Sequence, residues 1–264
     1  MLKLCVAGAA GRMGNALIAE ALLRGHQIVG AIEGSQASCV GKSLLELGIA
    51  NSEVKISGSE NLEEAVKNAD IYISFTVPDA EVTNIPIVAD LGKRIILGTT
   101  GFNAEQTGQV IAAMSGKVPS VFSPNYSIGV NILFKIVEFL KVFPKNYDFS
   151  LSEIHHTGKK DAPSGTAKKI EQLISQNRGY DKVIHGREGF SPRLPNELES
   201  VSLRLASVAG IHDVIVAGPN EMLRLEHIAF SRNVFAQGAV YAAEWLSKQV
   251  EPKVYNMADV LGLS

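Results

Sequence analysis

Cysteine is scarce in this chain: Cys5 and Cys39 are the only two among 264 residues. That is too few for a disulfide scaffold or a cysteine-based zinc site, and it points to a reducing, cytoplasmic setting. No apolar run approaches the roughly 18 residues that a transmembrane helix needs, so no membrane partner is expected. The opening MLKLCVAGAAG has an apolar stretch too short for a signal peptide, broken at Gly8 and Gly11. An excess of one charge is also missing. Lys and Arg number 25 against 27 Asp and Glu, a net −2, which argues against nucleic acid as a partner. There are no repeats, low-complexity tracts or long charge runs. What the chain does have is 46% hydrophobic residues and 24 glycines, enough for a sizeable core. At about 150 residues per domain, the length suggests about two domains.

The first half alternates short apolar runs with helical patterns. Strand-like runs fall at 2–8, 27–33, 54–58, 70–76, 94–100 and 118–124, with helical stretches at 11–26, 61–69, 79–92 and 103–116. Near-continuous apolar strands between helices predict a doubly wound parallel sheet covered on both faces, a Rossmann-like α/β fold. Asn61 with Glu64 three residues on resembles a capping box. After Asn125 the rhythm changes. A helix over 131–143 precedes a strand over 147–156 with Phe149, Leu151 and Glu153 on one face, and a second helix covers 164–176. Residues 177–198 show little periodicity. Strand-like runs at 199–207, 212–218 and 222–229 complete a mixed or antiparallel sheet of about four strands in a second, α+β domain. The helical run 234–249, with Phe235, Val240, Ala243 and Leu246 on one face, is expected to return to the first domain. The expected division is therefore 1–126 plus 233–264 for dinucleotide binding, and 127–232 for substrate binding and oligomerisation.

VAGAAGRMG (6–14) lies between a strand and a helix, with Gly8, Gly11 and Gly14 spaced G-x-x-G-x-x-G. Such a turn lets backbone N–H groups approach a pyrophosphate at a helix N-terminus. Glu33 ends the second strand 19 residues past Gly14, where a carboxylate accepts from an adenosine ribose and repels a 2′-phosphate. No arginine follows it in Gly34, Ser35 and Gln36, so NADH is preferred over NADPH as the cofactor. FTVPD (75–79) and GTTGF (98–102) follow strands and fit either a nicotinamide contact or ordinary turn chemistry.

The densest passage is EIHHTGKKDAPSGTAKK (153–169). Asp161 or Ser164 can cap the following helix, but capping does not account for His155, His156, Lys159 and Lys160 crowding before it. Ser164, Gly165 and Thr166 at a helix start, preceded by cations, suit a carboxylate or phosphate. His155 and Lys159 can each supply a proton near neutral pH. Adjacent histidines on a strand point opposite ways and no third ligand is well spaced, so no metal is expected.

Together GAAGRMG, GTTGF, SPNYSIGVN (123–131), EIHHTGKKDAPSGTA and the closing SRNVFAQGAVYAAEWL resemble the 4-hydroxy-tetrahydrodipicolinate reductase family, also called dihydrodipicolinate reductase. The resemblance spans essentially the whole chain. It implies NAD(P)H-dependent reduction of a cyclic imine dicarboxylate in diaminopimelate/lysine biosynthesis, and a homotetramer. By position, His155 and Lys159 match the family's catalytic residues, and His156, Lys159, Ser164, Gly165 and Thr166 its substrate contacts. Gly8, Gly11, Arg12, Met13 and Glu33 match contacts at the adenosine–pyrophosphate end. Phe75, Thr76, Gly98, Thr99, Thr100, Ser123, Asn125 and Tyr126 match positions near the nicotinamide. Two departures are Gly34, where many relatives carry arginine, and Pro124, where they often carry a small residue.

Elsewhere plain readings are preferred: His185, His212 and His227 as core or edge histidines, Trp245 and Cys5 as packing. Arg232, before the final helix, is a candidate to face the site across a hinge. The competing functions are another Rossmann oxidoreductase on a small carboxylate, or a non-catalytic NAD(H) sensor. Against the first, this chain lacks the E-K-P triplet that the sugar oxidoreductases show; against the second, a sensor has no need of His155 and Lys159.

Overall fold

The opening apolar run forms strand β1 (Lys3–Ala7) in a computed structural model that describes residues 1–263. In chain order follow α1 (Arg12–Leu23), β2 (Gln27–Glu33), β3 (Ile56–Gly58), α2 (Leu62–Val66), β4 (Ile71–Ser74), α3 (Pro78–Asp90), β5 (Arg94–Leu97), α4 (Ala104–Met114), β6 (Ser120–Phe122) and α5 (Ile128–Phe139). Then come β7 (Asp148–His155), α6 (Gly165–Arg178), β8 (Lys182–Ile184), β9 (Glu197–Arg204), β10 (Gly210–Ala217), β11 (Met222–Ala229), α7 (Asn233–Leu246), β12 (Val254–Tyr255) and α8 (Met257–Val260). Two units result, Met1–Ile128 with Arg232–Ser264, and Gly129–Ser231. The first break falls after Ile128 rather than Tyr126, because both residues pack into the core of the first unit.

The first unit holds a seven-stranded sheet in the order β12-β6-β5-β4-β1-β2-β3, every pair parallel. Its strands alternate between two buried faces. Leu4 and Val6 face one core with Leu17, Ile18, Val240 and Leu246, whereas Cys5 and Ala7 face the other with Val66, Ile85, Val88 and Val110. Each fully buried Leu, Ile or Val contributes about 1.5–3 kcal/mol, which keeps the sheet rigid between its helix layers. The C-terminal helix α7 supplies Ala236, Ala239, Val240, Ala243 and Leu246 to the first core; Ala236 takes the place expected of Phe235, which is half-buried. β1 lies between β4 and β2, so the chain reverses direction across the sheet there, and the crevice at the strand ends is the natural ligand site.

The second unit holds five strands in the order β11-β10-β7-β9-β8, one more than expected. The added strand, β8, has three residues and pairs with Glu197–Glu199, too short to show a period. The loop after it is ordered by charge instead. Arg187 binds Glu197 at 2.8 Å and Glu199 at 3.0 Å, and Glu197 also accepts the Leu194 N–H. On β7, Phe149, Leu151, Glu153 and His155 share the inward row, over a core completed by Leu133, Val137, Ile170 and Ile174. A carboxylate and an imidazole thus continue an apolar stripe.

One cap differs from expectation. Asn61 closes a 3₁₀ turn (59–61) with φ −105° and ψ 23°, and its carboxamide donates to Glu60, so no capping box forms with Glu64. True capping boxes occur at Asn103–Gln106 and Asn256–Asp259.

Candidate active site

In the first unit, Gly8–Gly11 turn the chain between β1 and α1. Gly8 has φ +69°, and its carbonyl accepts the Gly11 N–H at 3.0 Å. A Cβ on Gly14 would stand 2.0 Å from that same carbonyl oxygen, so the turn closes only around a bare backbone. Helix α1 starts at Gly11 with no side-chain cap and no acidic residue in its first turn, which leaves its N–H groups and dipole open to an anion. Glu33 Oε1 accepts the Ala10 N–H at 2.8 Å, so the carboxylate also braces the loop.

Neighbouring strand ends carry the other motifs. A Cβ on Gly8 would lie 3.1 Å from Thr76 Cγ2, which places Phe75–Thr76 against the glycine turn. The Thr76 N–H donates to Thr99 Oγ1 at 2.9 Å, and a Cβ on Gly98 would strike the Phe75 ring at 2.2 Å. Phe75 in turn packs on Tyr126 with ring centroids 5.3 Å apart. Thr99, Ser123 and Tyr126 are buried braces: the Tyr126 hydroxyl sits between the Leu97 and Val121 carbonyls, and Ser123 Oγ donates to the Asn125 carbonyl at 2.9 Å. Thr100 and Arg12 are exposed, with Met13, Phe75, Thr76 and Asn125 half-buried. Beneath Thr76 lies Glu81 of α3, which accepts from the hydroxyls of Ser74 and Thr76. It is fully buried, and burial pushes its carboxyl above the usual range.

In the second unit the centre is Glu153, fully buried on β7. One oxygen accepts His155 Nδ1, Arg204 grips both at 3.0 and 2.9 Å, and the Ser164 N–H donates at 3.2 Å. Burial alone would raise this carboxyl, but Arg204 and His155 hold it below the usual range. An ionised Glu153 fixes the proton of His155 on Nδ1 and leaves Nε2 for chemistry. Burial is the main cause that lowers the His155 pKa, with Glu153 opposing and Lys159 and Arg204 adding to it.

Ser164 caps α6, its Oγ accepting the Ala167 N–H at 3.1 Å and lying 3.2 Å from His212 Nε2. Gly165 and Thr166 follow in the first turn. Lys159 reaches Asp161 at 2.8 Å, and its N–H donates to the His156 carbonyl at 3.0 Å. Arg204 also donates to the Asp161 carbonyl at 2.6 Å, tying the His–Lys turn to the Glu153 centre. His155 and Ser164 are thus bonded to Glu153, Lys159 is linked to it through Asp161 and Arg204, and His156, Gly165 and Thr166 lie in the same strand–turn–helix passage. Asp161 is a partner of Lys159 and not the helix cap.

Glu81, Arg204 and His212 lie outside the motifs that mark the site in sequence. His212 is 4% exposed, as a core histidine would be, yet its ring stands edge-on to His155 at 5.2 Å. Burial first, and then the adjacent His155, push its pKa down to about 3. Only sheet register places it there, opposite Glu153 across β7 and β10. His227 lies one strand further, 6.5 Å from His212. His185 binds the Ser200 carbonyl, and Trp245 packs on Tyr255. Among the described residues, no group of three or more His, Cys, Asp or Glu is placed to hold a metal, and no helix is long and apolar enough to cross a membrane.

Two family models match the chain: dihydrodipicolinate reductase, N-terminus, over residues 2–126, and dihydrodipicolinate reductase, C-terminus, over residues 129–261. The 4-hydroxy-tetrahydrodipicolinate reductase of Methanosarcina barkeri is 41% identical over 268 residues, covering 100% of both chains. That of Aquifex aeolicus is 40% identical over 269 residues, covering 99% of each. A solved structure, dipicolinate-bound dihydrodipicolinate reductase from Paenisporosarcina sp. TG-14, has the same fold, with TM-score 0.77 over 98% of this chain and 99% of that one at 23% identity. Aspartate semialdehyde dehydrogenase II from Vibrio cholerae also shares the architecture, with TM-score 0.58 at 12% identity over 94% and 99% of the two chains. Fold alone therefore does not select the reaction.

Proposed function

The chain belongs to the dihydrodipicolinate reductase family, and from that premise we propose how its residues divide the work of one reaction. The protein is an oxidoreductase of diaminopimelate/lysine biosynthesis that reduces 4-hydroxy-tetrahydrodipicolinate to tetrahydrodipicolinate with a nicotinamide cofactor. We assign cofactor binding to the first unit and substrate binding to the second. The Gly8–Gly14 turn fits a pyrophosphate, since it has no room for a Cβ at Gly14 and leaves the start of α1 uncapped. Gly8, Gly11, Arg12 and Met13 hold that end, and Glu33 takes the ribose hydroxyl, which favours NADH over NADPH. Phe75, Thr76, Gly98, Thr100 and Asn125 line the nicotinamide end, with Thr99, Ser123 and Tyr126 behind them. When bound, the reduced nicotinamide supplies a hydride to the substrate ring.

Ser164, Gly165 and Thr166 give hydroxyl and N–H donors to a substrate carboxylate, with Lys159 and His156 beside them. The dianion raises the proton affinity of His155 above its depressed value in the free enzyme. The 4-hydroxyl leaves as water to give the conjugated imine that takes the hydride; His155 Nε2 then carries the proton that meets the negative charge developing on that ring, and Lys159 stabilises the charge. The observation that carries this assignment is His155 locked through Nδ1 to a buried, ionised Glu153, beside a capped and cation-flanked helix start.

A homotetramer and a cytoplasmic location complete the proposal. Assembly through the second unit is supported by its exposed Leu205, Met222 and Phe230, at 51%, 65% and 94%. The location is supported by two unpaired cysteines.

Thermal melts with pyridine-2,6-dicarboxylate, a stable planar dicarboxylate, test the assignment with and without NADH. Stabilisation greatest with both together is expected of the reductase. A response to NADH alone would leave a binding protein in its place.

A further inference from the structure

Ser164 Oγ has two polar neighbours. The Ala167 N–H, at 3.1 Å, can only donate to it. His212 Nε2, at 3.2 Å, donates or accepts according to where the imidazole carries its proton. The two tautomers therefore give the serine opposite characters. With the proton on Nδ1, the Ser164 hydroxyl spends its hydrogen on His212 and offers an incoming carboxylate only lone pairs. With the proton on Nε2, Ser164 accepts twice and keeps its own hydrogen to donate.

The surroundings of His212 separate the two. Its Nδ1 is buried and has no hydrogen-bond partner among the described residues. A proton there would be an orphaned N–H, which folded proteins avoid more strictly than an unused acceptor lone pair. A doubly protonated ring would carry the same orphan together with a buried charge, facing His155 from β7 and His227 from β11. Burial favours the neutral ring at neutral pH.

We infer that His212 is a positioning residue whose Nε2–H donates to Ser164 Oγ and so turns the serine hydroxyl into a donor for the substrate carboxylate. The inference rests on the assignment of Ser164 to that carboxylate. It gives a role to a histidine 48 residues away from the serine it sets, on a different strand from the motif that marks the site. His155 and His212 then act in series on one ligand: the first presents Nε2 to the reacting ring, and the second aims the hydroxyl that holds the ring's carboxylate.

The test uses full-length ¹⁵N-labelled protein at neutral pH, with His212 resonances identified by their loss in His212→Gln. Nitrogen shifts showing the proton on Nε2 are expected; a proton on Nδ1 overturns the inference. Calorimetric titration of pyridine-2,6-dicarboxylate into the NADH complex is the second readout. Ser164→Ala should weaken binding about 10–100-fold, the worth of a hydrogen bond to a charged group. His212→Leu should weaken it about tenfold, and the double variant no further than Ser164→Ala alone. His212→Gln, whose carboxamide N–H can donate from the same place, should stay within about threefold of the parent. If Ser164→Ala binds normally, the carboxylate assignment of Ser164 fails. If Ser164→Ala weakens binding while His212→Leu does not, the inference alone fails. The tautomer measurement needs only the unsubstituted protein, so a His212→Leu chain that does not fold leaves the question decidable.

Discussion

Replacing Glu153 by glutamine keeps the shape of the side chain and removes its charge, which isolates the role of the buried carboxylate. Four donors converge on it: two from Arg204, His155 Nδ1 and the Ser164 N–H. Glutamine has one oxygen to offer them, and its NH₂ must face a guanidinium or imidazole donor. With the group fully buried, water cannot take its place. Neutralising one partner of a buried pair costs about 3–5 kcal/mol. At 2–4 °C per kcal/mol for a domain of this size, the melting temperature should fall by roughly 6–20 °C. Turnover should fall further than stability suggests, because His155 loses the group that holds its proton on Nδ1. A drop of about 10²–10³-fold in kcat follows from the usual worth of a positioned acid–base residue, with KM changed much less. Calorimetric melts and steady-state rates on the same preparation read both quantities. A kcat within threefold of the parent, in protein that melts at the parent temperature, would refute the role given to Glu153.

Three further outcomes follow from the same geometry. Above pH 6.5 the His212 ring is neutral whether the chain is folded or not; between that value and about 3 the unfolded chain takes up a proton that the folded ring refuses, so stability falls as pH falls. From pH 7 to pH 5 this single residue should remove about 2 kcal/mol, a slope that denaturant titrations of His212→Gln should lack. With NADH and NADPH compared at equal concentration, kcat/KM should favour NADH by about tenfold or more, and Glu33→Gln should narrow the ratio by removing like-charge repulsion; an unchanged ratio would take Glu33 out of cofactor choice. Gly14→Ala must push its Cβ out of the Gly8 carbonyl, so NADH titrations should show affinity lost by tenfold or more, along with about 1–3 kcal/mol of stability.

The cofactor half of the fold is legible because its signals are local. Leu4 and Val6 against Cys5 and Ala7 show a strand buried on both faces, and the glycine turn sits directly between that strand and its helix. The dense passage 153–169 is legible for the same reason, since His155, Lys159 and Ser164 lie within one strand–turn–helix. What organises that passage is not local. Arg204 and His212 arrive by the pairing of β7 with β9 and β10, and no spacing in the chain announces which rows of a mixed sheet will face each other. Glu81 is hidden differently: an acidic residue on a helical pattern reads as solvated until the hydroxyls of Ser74 and Thr76 are seen to hold it. β8 and β12, of three and two residues, sit among polar neighbours and lack the longer strand-like runs, 54–58 and 118–124, that mark the similarly short β3 and β6. Asn61 shows the limit of a motif, because a preceding 3₁₀ turn takes the conformation its capping role requires.

The most direct measurement is the reductase reaction itself, with the unstable substrate generated in place by a coupled condensation and consumption of the reduced nicotinamide followed spectroscopically. The parent chain should turn over. His155→Ala should lose mainly kcat, and Lys159→Ala should lose both kcat and substrate affinity, each by about 10²-fold or more. Parent-like kinetics in both variants would contradict the site described for the second unit, and no turnover by the folded parent with either cofactor would contradict the account as a whole.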